Sequence, residues 1–214
     1  MEIYDLLLAR FGGQDWWPGE SKDEIIIGAI LTQNTNWGNV EKAINNLKQA
    51  DVMSLPELNR IDTAALAELI RPAGYYNVKA KRIKNFLGWF FDEFDGDIEL
   101  IEKCDTQSLR QKLLSVNGVG RETADSILLY AFERPIFVVD TYTFRVTYRH
   151  GLIDDSCDYD ELQRLFEDNL TCDTKLFNEF HALLVMTGKE FCKPKAKCDE
   201  CPLQALPHCL EEDY

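Results

Sequence analysis

Apolar residues recur at helical spacing along almost the whole chain. Ser21-Lys-Asp-Glu24 has the form of a capping box ahead of the apolar run Ile25–Leu31. A helical pattern follows from about Asn39 to Gln49. Asp62 is placed to cap a helix that runs to Ile70 and stops before Pro72 and Gly74. Residues 77–94 form a longer amphipathic segment, basic at its start and aromatic later. Its stripe of Phe86, Trp89, Phe90 and Phe94 is assigned to the core. Further helices are predicted from Thr106 to near Val116, from about Arg121 to Phe132, and from an Asp140 cap through Arg149. Two more cover roughly 158–170 and 174–189. Only Ile136–Val139 reads as a strand, too short to seed a sheet. The tail from Phe191 is a Cys-rich loop. There is no internal repeat and no low-complexity segment. The predicted class is all-α, with about ten helices.

Composition narrows the class further. The 214 residues are 45% hydrophobic and 28% charged, with 12 Gly and 7 Pro, which excludes a disordered or collagen-like chain. No run of 18 apolar residues occurs, so no membrane partner is expected. The start, Met-Glu-Ile-Tyr-Asp, is acidic where a signal peptide is basic, which argues against export. Seven cysteines, an odd number, then point to a reducing cytoplasm rather than a disulfide framework. The formal charge of -14 argues against a nucleic-acid partner. Local patches change that picture. Arg71, Lys79, Lys81, Arg82 and Lys84 share a stretch without an acid, and Lys189, Lys193, Lys195 and Lys197 are accompanied only by Glu190.

Three constellations carry candidate chemistry. The first is Cys192-x5-Cys198-x2-Cys201-x7-Cys209, four thiols close enough in sequence to close around one centre. A tetrahedral zinc and an iron–sulfur cubane both fit. A single C-x2-C pair with longer arms favours the larger cubane, with zinc and then free buried thiols as the alternatives. Ligation at both ends would hold Lys193, Lys195 and Lys197 on one rigid loop, where phosphate contact and simple solvation are both open. The second is Leu114-Ser-Val-Asn-Gly118-Val-Gly120-Arg121-Glu122-Thr123 between two helices. Its glycines permit positive φ and close backbone approach, and its N–H groups can meet an anion. The interleaved Leu114, Val116 and Val119 match a helix–hairpin–helix, which grips a nucleic-acid backbone without reading sequence. The third is Asp140, in Val-Val-Asp140-Thr-Tyr. Read alone, it is better taken as a helix N-cap worth about 1 kcal/mol.

The order of hairpin, Val-Asp-Thr and four-Cys loop resembles the endonuclease III superfamily of helix–hairpin–helix DNA glycosylases. The likeness extends from about residue 22 to 209. It implies two helical domains gripping double-stranded DNA, here residues 22–134 with the hairpin, and residues 1–21 plus 135–214 with the Cys loop. It further implies a catalytic Asp140, a 4Fe–4S cluster on the four cysteines, and DNA contact through Gly118, Gly120, Arg121, Thr123 and the loop lysines. Two departures stand out. The family's cysteine spacing is x6, x2 and x5, whereas this chain has x5, x2 and x7. Bifunctional members also carry a Schiff-base lysine where this chain has Glu122, and a carboxylate forms no imine. The resemblance therefore implies a monofunctional enzyme with weak or absent lyase activity.

Two stretches are similar to the 3-methyladenine subgroup of that superfamily: Asp15-Trp16-Trp17-Pro18 and Leu31-Thr-Gln33-Asn34-Thr-Asn-Trp37. The likeness implies that Trp16, Trp17, Pro18 and Trp37 line a pocket for a flipped base and that Gln33 or Asn34 fills the gap it leaves. N3-methylation makes adenine cationic, and an electron-rich ring attracts a cation by about 0.5–2 kcal/mol. Glu122 could contact that cation. His181 is assigned to the interior. The expected function is base excision of an alkylated purine by a monomeric enzyme of a prokaryotic cytoplasm, associated with the nucleoid. The alternatives are a mismatch or oxidised-base glycosylase of the same superfamily and a non-catalytic iron–sulfur DNA-binding protein.

Overall fold

Helix caps set most of the element boundaries. The computed structural model describes residues 1–14, 16–17 and 19–209; Asp15, Pro18 and residues 210–214 lie outside the described residues. Twelve α-helices occur among them: α1 (Glu2–Phe11), α2 (Lys22–Leu31), α3 (Trp37–Gln49), α4 (Leu55–Arg60), α5 (Thr63–Leu69), α6 (Tyr76–Phe94), α7 (Ile98–Glu102), α8 (Thr106–Ser115), α9 (Arg121–Ser126), α10 (Thr141–Arg149), α11 (Tyr159–Asn169) and α12 (Thr174–Glu190). Asp62, Asp97, Asp105, Asp140, Asp158 and Asp173 each accept a backbone N–H at a helix start. Part of the acidity is therefore consumed in capping, where an anion also meets the positive helix end. Among the described residues no helix is long and apolar enough to cross a membrane.

The chain divides into two compact units, Met1–Trp17 with Pro135–Tyr214, and Pro18–Arg134. In the second of these, α2 is the central helix: Ile26, Ile27, Ile30 and Leu31 are fully buried. It packs on α3, α6 and the π-helical turn Ile127–Ala131 that continues α9. Val40, Ala43, Ile44 and Leu47 form the inner face of α3, the i, i+3, i+4, i+7 stripe of an amphipathic helix. Phe86, Phe90 and Phe94 are buried along α6, as expected of that stripe. The capping box at Ser21 is half made. Ser21 Oγ accepts from Glu24 N at 3.2 Å, whereas the Glu24 carboxylate takes the N–H of Glu20.

In the other unit α12 packs against α1 and α10. Phe177 and Phe180 of α12 meet Phe137, whose ring stacks on Phe166 of α11 at 4.0 Å. The expected strand at Ile136–Val139 is not one: it is a buried extended connector. Side chains of α11 take the place of a ladder partner. Phe137 N–H donates to Glu167 Oε1 at 2.9 Å, and Phe137 C=O accepts from Gln163 Nε2 at 2.7 Å. Backbone polar groups in a core need partners, and helix side chains meet that need as well as a sheet does. This connector delivers Asp140 to the start of α10.

Candidate functional site

Asp140 ends the connector as the N-cap of α10. Its Oδ1 accepts from Thr143 N–H at 2.7 Å and from the Thr143 hydroxyl at 3.0 Å. Its Oδ2 lies 3.6 Å from His181 Nε2 on α12, and the two side chains are 12% and 6% exposed. Burial alone pushes this carboxyl upward in pKa. The His181 imidazole and the two Thr143 donors more than offset that, leaving it below the ordinary carboxylate value. Asp140 is thus an ionised, nearly buried carboxylate at neutral pH, suited to accept a proton from water or to stabilise a developing positive charge.

Aromatic and cationic groups accompany it in the same unit. The Trp16 and Trp17 rings meet edge-on at 6.0 Å. Lys189 of α12 holds its Nζ 5.4 Å over the Trp16 ring. Burial pushes the Lys189 amine down in pKa, and the Asp140 charge pulls it back up. One face of Trp16 therefore already receives a cation within the field of Asp140. Trp16 Nε1 is buried without a hydrogen-bond partner among the described residues. Pro18 and Asp15 lie outside those residues.

The hairpin and the Leu31–Trp37 turn meet in the other unit. Gly118 has φ 97°, and a Cβ there would sit 2.4 Å from Arg82 Cγ, so only glycine fits. Gly120 has φ −91° and needs no such freedom. The Gln33 amide joins the two stretches: its Nε2 donates to Gly118 O at 3.1 Å and to Thr123 Oγ1 at 2.9 Å, and its Oε1 accepts from Arg82. Thr123 is 5% exposed. Asn34, with φ 53°, is the exposed tip of that turn, and half-buried Trp37 begins α3. Gly120, Arg121 and Glu122 are exposed at the start of α9. Trp16, Trp17 and Asp140 thus belong to one unit, and Gln33, Asn34, Trp37, Glu122 and the hairpin to the other.

Residues 27–172 match the profile of the HhH-GPD superfamily of base excision DNA repair proteins. The chain belongs to this superfamily. A Methanocaldococcus jannaschii protein provisionally named as a DNA repair glycosylase is 51% identical over 213 residues, covering 99% of this chain and 96% of its own. Endonuclease III of Sulfolobus acidocaldarius is 31% identical, covering 84% and 78%. The crystal structure of the H. pylori 3-methyladenine DNA glycosylase MagIII bound to 1,N6-ethenoadenine superposes with a TM-score of 0.77 at 32% identity, covering 88% of this chain and 96% of that one. A trapped endonuclease III–DNA covalent intermediate superposes at 0.82 with 22% identity, a likeness of fold, covering 96% and 92%. This HhH-GPD protein is accordingly a DNA glycosylase of base excision repair.

The Cys loop of the HhH-GPD protein follows α12. Cys192, Cys198 and Cys201 line one cavity, together with Arg149, His150 and His208. Arg149, 6% exposed, donates to Cys192 Sγ at 3.3 Å, to Lys193 O at 2.7 Å and to Pro194 O at 3.0 Å. Burial pushes the thiols of Cys198 and Cys201 up, and neighbouring cysteines add to this. Cys209 is exposed and does not line the cavity, although its N–H donates to Arg149 O at 2.8 Å. Among the described residues no three Cys, His, Asp or Glu side chains converge closely enough for one metal ion. The thiols of Cys192, Cys198 and Cys201 face one cavity, and both a zinc ion and an iron–sulfur cluster take thiolate ligands. Lys193, Lys195 and Lys197 are all exposed.

Sequence reasoning placed His181 in the interior and gave Lys189 no role at Asp140. His181 is buried, but its partner is Asp140. The spacing of His181, Gly188 and Lys189 along α12 was the available signal, and it becomes informative only once α10 is packed against that helix.

Proposed function

We propose that this HhH-GPD protein is a monofunctional DNA glycosylase that hydrolyses the N-glycosidic bond of a flipped alkylated purine, 3-methyladenine. The observation that carries the reading is the cation held over Trp16 in the field of an ionised Asp140. A ring that accepts an ammonium at 5.4 Å also offers a face to a methylated, cationic purine. The 32% identity to a 3-methyladenine glycosylase supports the same substrate class.

Asp140 supplies the chemistry. The base leaves with the electrons of the glycosidic bond, and a cationic purine departs neutral without an added proton. The Asp140 carboxylate stabilises the oxocarbenium-like sugar and takes a proton from the water that attacks C1′. Glu122 stands where bifunctional members carry an amine, so no imine forms there. The hairpin holds the DNA backbone through Gly118 and Gly120, with Asn34 at the exposed tip beside it. Cys192, Cys198 and Cys201, with Cys209, would hold a 4Fe–4S cluster. Such a cluster supplies cross-linking of the loop that carries Lys193, Lys195 and Lys197, and those lysines meet phosphate.

The test is base release from methylated duplex DNA by wild type and Asp140→Asn. Free 3-methyladenine from wild type alone, with strands intact until alkali treatment, is the expected result. Release of uracil or thymine but no alkylated base would overturn the substrate. Strand breaks without alkali would overturn the monofunctional assignment.

A further inference from the structure

Among the described residues six aspartates cap helices, and Asp140 is unlike the other five. The capping bonds of Asp62, Asp97, Asp105, Asp158 and Asp173 are exposed, whereas those of Asp140 are partly buried. An N-cap needs one carboxylate oxygen, and Thr143 occupies Oδ1 as capping requires. The second oxygen faces another helix, and His181 Nε2 lies 3.6 Å from it. That distance is longer than a hydrogen bond, and contacts between catalytic groups are often long in unliganded structures.

The contact is built into the packing. His181 and Gly188 lie seven residues apart on α12, two turns along one face. Gly188 meets Tyr142, two residues after Asp140: a Cβ at 188 would lie 2.3 Å from Tyr142 Cδ1. The absent side chain lets α12 approach α10 closely enough for His181 to reach Asp140. The other titratable groups nearby are Lys189 of α12, Tyr159 of α11 at 3.5 Å from Val139 N, and Glu167 of α11 on Phe137 N.

We infer that His181 is a positioning residue for Asp140: it holds the second carboxylate oxygen from a neighbouring helix, so that one orientation of the carboxylate faces the reacting sugar. The inference rests on the glycosylase reading above. Thr143 engages Oδ1, and His181 is the group that faces Oδ2. His181 adds a second anchor from another helix and opposes the rise in pKa that burial causes.

The experiment is single-turnover base release across pH 5–8.5 by wild type, His181→Leu and His181→Gln, with DNA affinity and Tm measured alongside. His181→Leu should release base about tenfold more slowly at pH 7, bind DNA within about twofold of wild type, and show an acid limb at higher pH. The limb moves up because burial then acts on Asp140 with less opposition, and the carboxylate is active only when ionised. His181→Gln keeps an N–H donor and should recover most of the rate. Leu with the wild-type rate and limb overturns the inference. So do equal losses in both variants accompanied by lower DNA affinity and Tm, which mark a packing role only. Carbon-13 NMR of the Asp140 carboxyl separates this inference from the glycosylase reading. Its titration midpoint should rise in His181→Leu. If it rises while wild type releases no base from methylated, uracil or mismatched duplexes, the pairing stands and the glycosylase reading falls. If it does not rise, the inference falls whatever the activity.

Discussion

Removing either member of the Arg110–Asp125 pair should loosen the hairpin, and by unequal amounts. Arg110 projects from α8 and Asp125 from α9, the two helices that flank Gly118. The guanidinium grips both carboxylate oxygens, Nε to Oδ1 at 2.7 Å and Nη2 to Oδ2 at 3.0 Å. The Asp125 side chain is 0% exposed and that of Arg110 is 11% exposed. Breaking a buried pair costs about 3–5 kcal/mol, because the survivor keeps a desolvated charge. Asp125→Ala leaves a guanidinium that still reaches solvent and should fall near the low end, about 3 kcal/mol. Arg110→Ala leaves a fully buried carboxylate and should fall near the high end, about 5 kcal/mol. Replacing both by leucine should come within about 1 kcal/mol of wild type, so the cycle is strongly non-additive. Urea unfolding at pH 7 measures the three values, and hydrogen exchange at the amides of α8 and α9 assigns the loss to the hairpin. Single-variant costs below about 1 kcal/mol, the range of surface pairs, would refute the reasoning. So would additivity within about 0.5 kcal/mol.

Three further predictions follow from single residues. Lys79 is 1% exposed, donates to Leu31 O at 2.9 Å and Ala73 O at 2.7 Å, and burial with the nearby Arg82 charge lowers its pKa to about 8. The unfolded chain then binds more protons above that pH, so wild type should gain roughly 3 kcal/mol over Lys79→Met between pH 8 and 10.5, read by urea unfolding at each pH. Gly118→Ala should cost about 1–3 kcal/mol, since φ 97° and the Arg82 contact both exclude a Cβ; anisotropy with an undamaged duplex should show weaker binding whatever the sequence. On the proposed cluster reading, Cys198→Ser should strip iron and visible absorbance from the protein, while bound zinc with no colour in wild type would replace that reading with its alternative.

Most of the fold was legible along the chain because its signals are local. Ser21, Asp62 and Asp140 announce helix starts within three residues of the N–H groups they cap. The Phe86–Phe94 stripe and the α3 face show their burial by period alone. The short helices α4 and α7 carry too few turns for a period to register. Ile136–Val139 has strand composition, but the helix side chains of Glu167 and Gln163 complete its backbone, and no local pattern records that. The same division runs through the site. Hairpin, carboxylate and cysteines are motifs read along the chain, so the chain by itself pointed to a helix–hairpin–helix glycosylase and to Asp140 as the candidate reactive group. Only tertiary structure decided how those parts are held. Gln33 ties its turn to Gly118 across 85 residues, Arg149 reaches Cys192 across 43, and Gly188 admits His181 to the second oxygen of Asp140. A side chain's electrostatic and hydrogen-bonding partners come from elements distant in sequence, and they exist only once those elements pack.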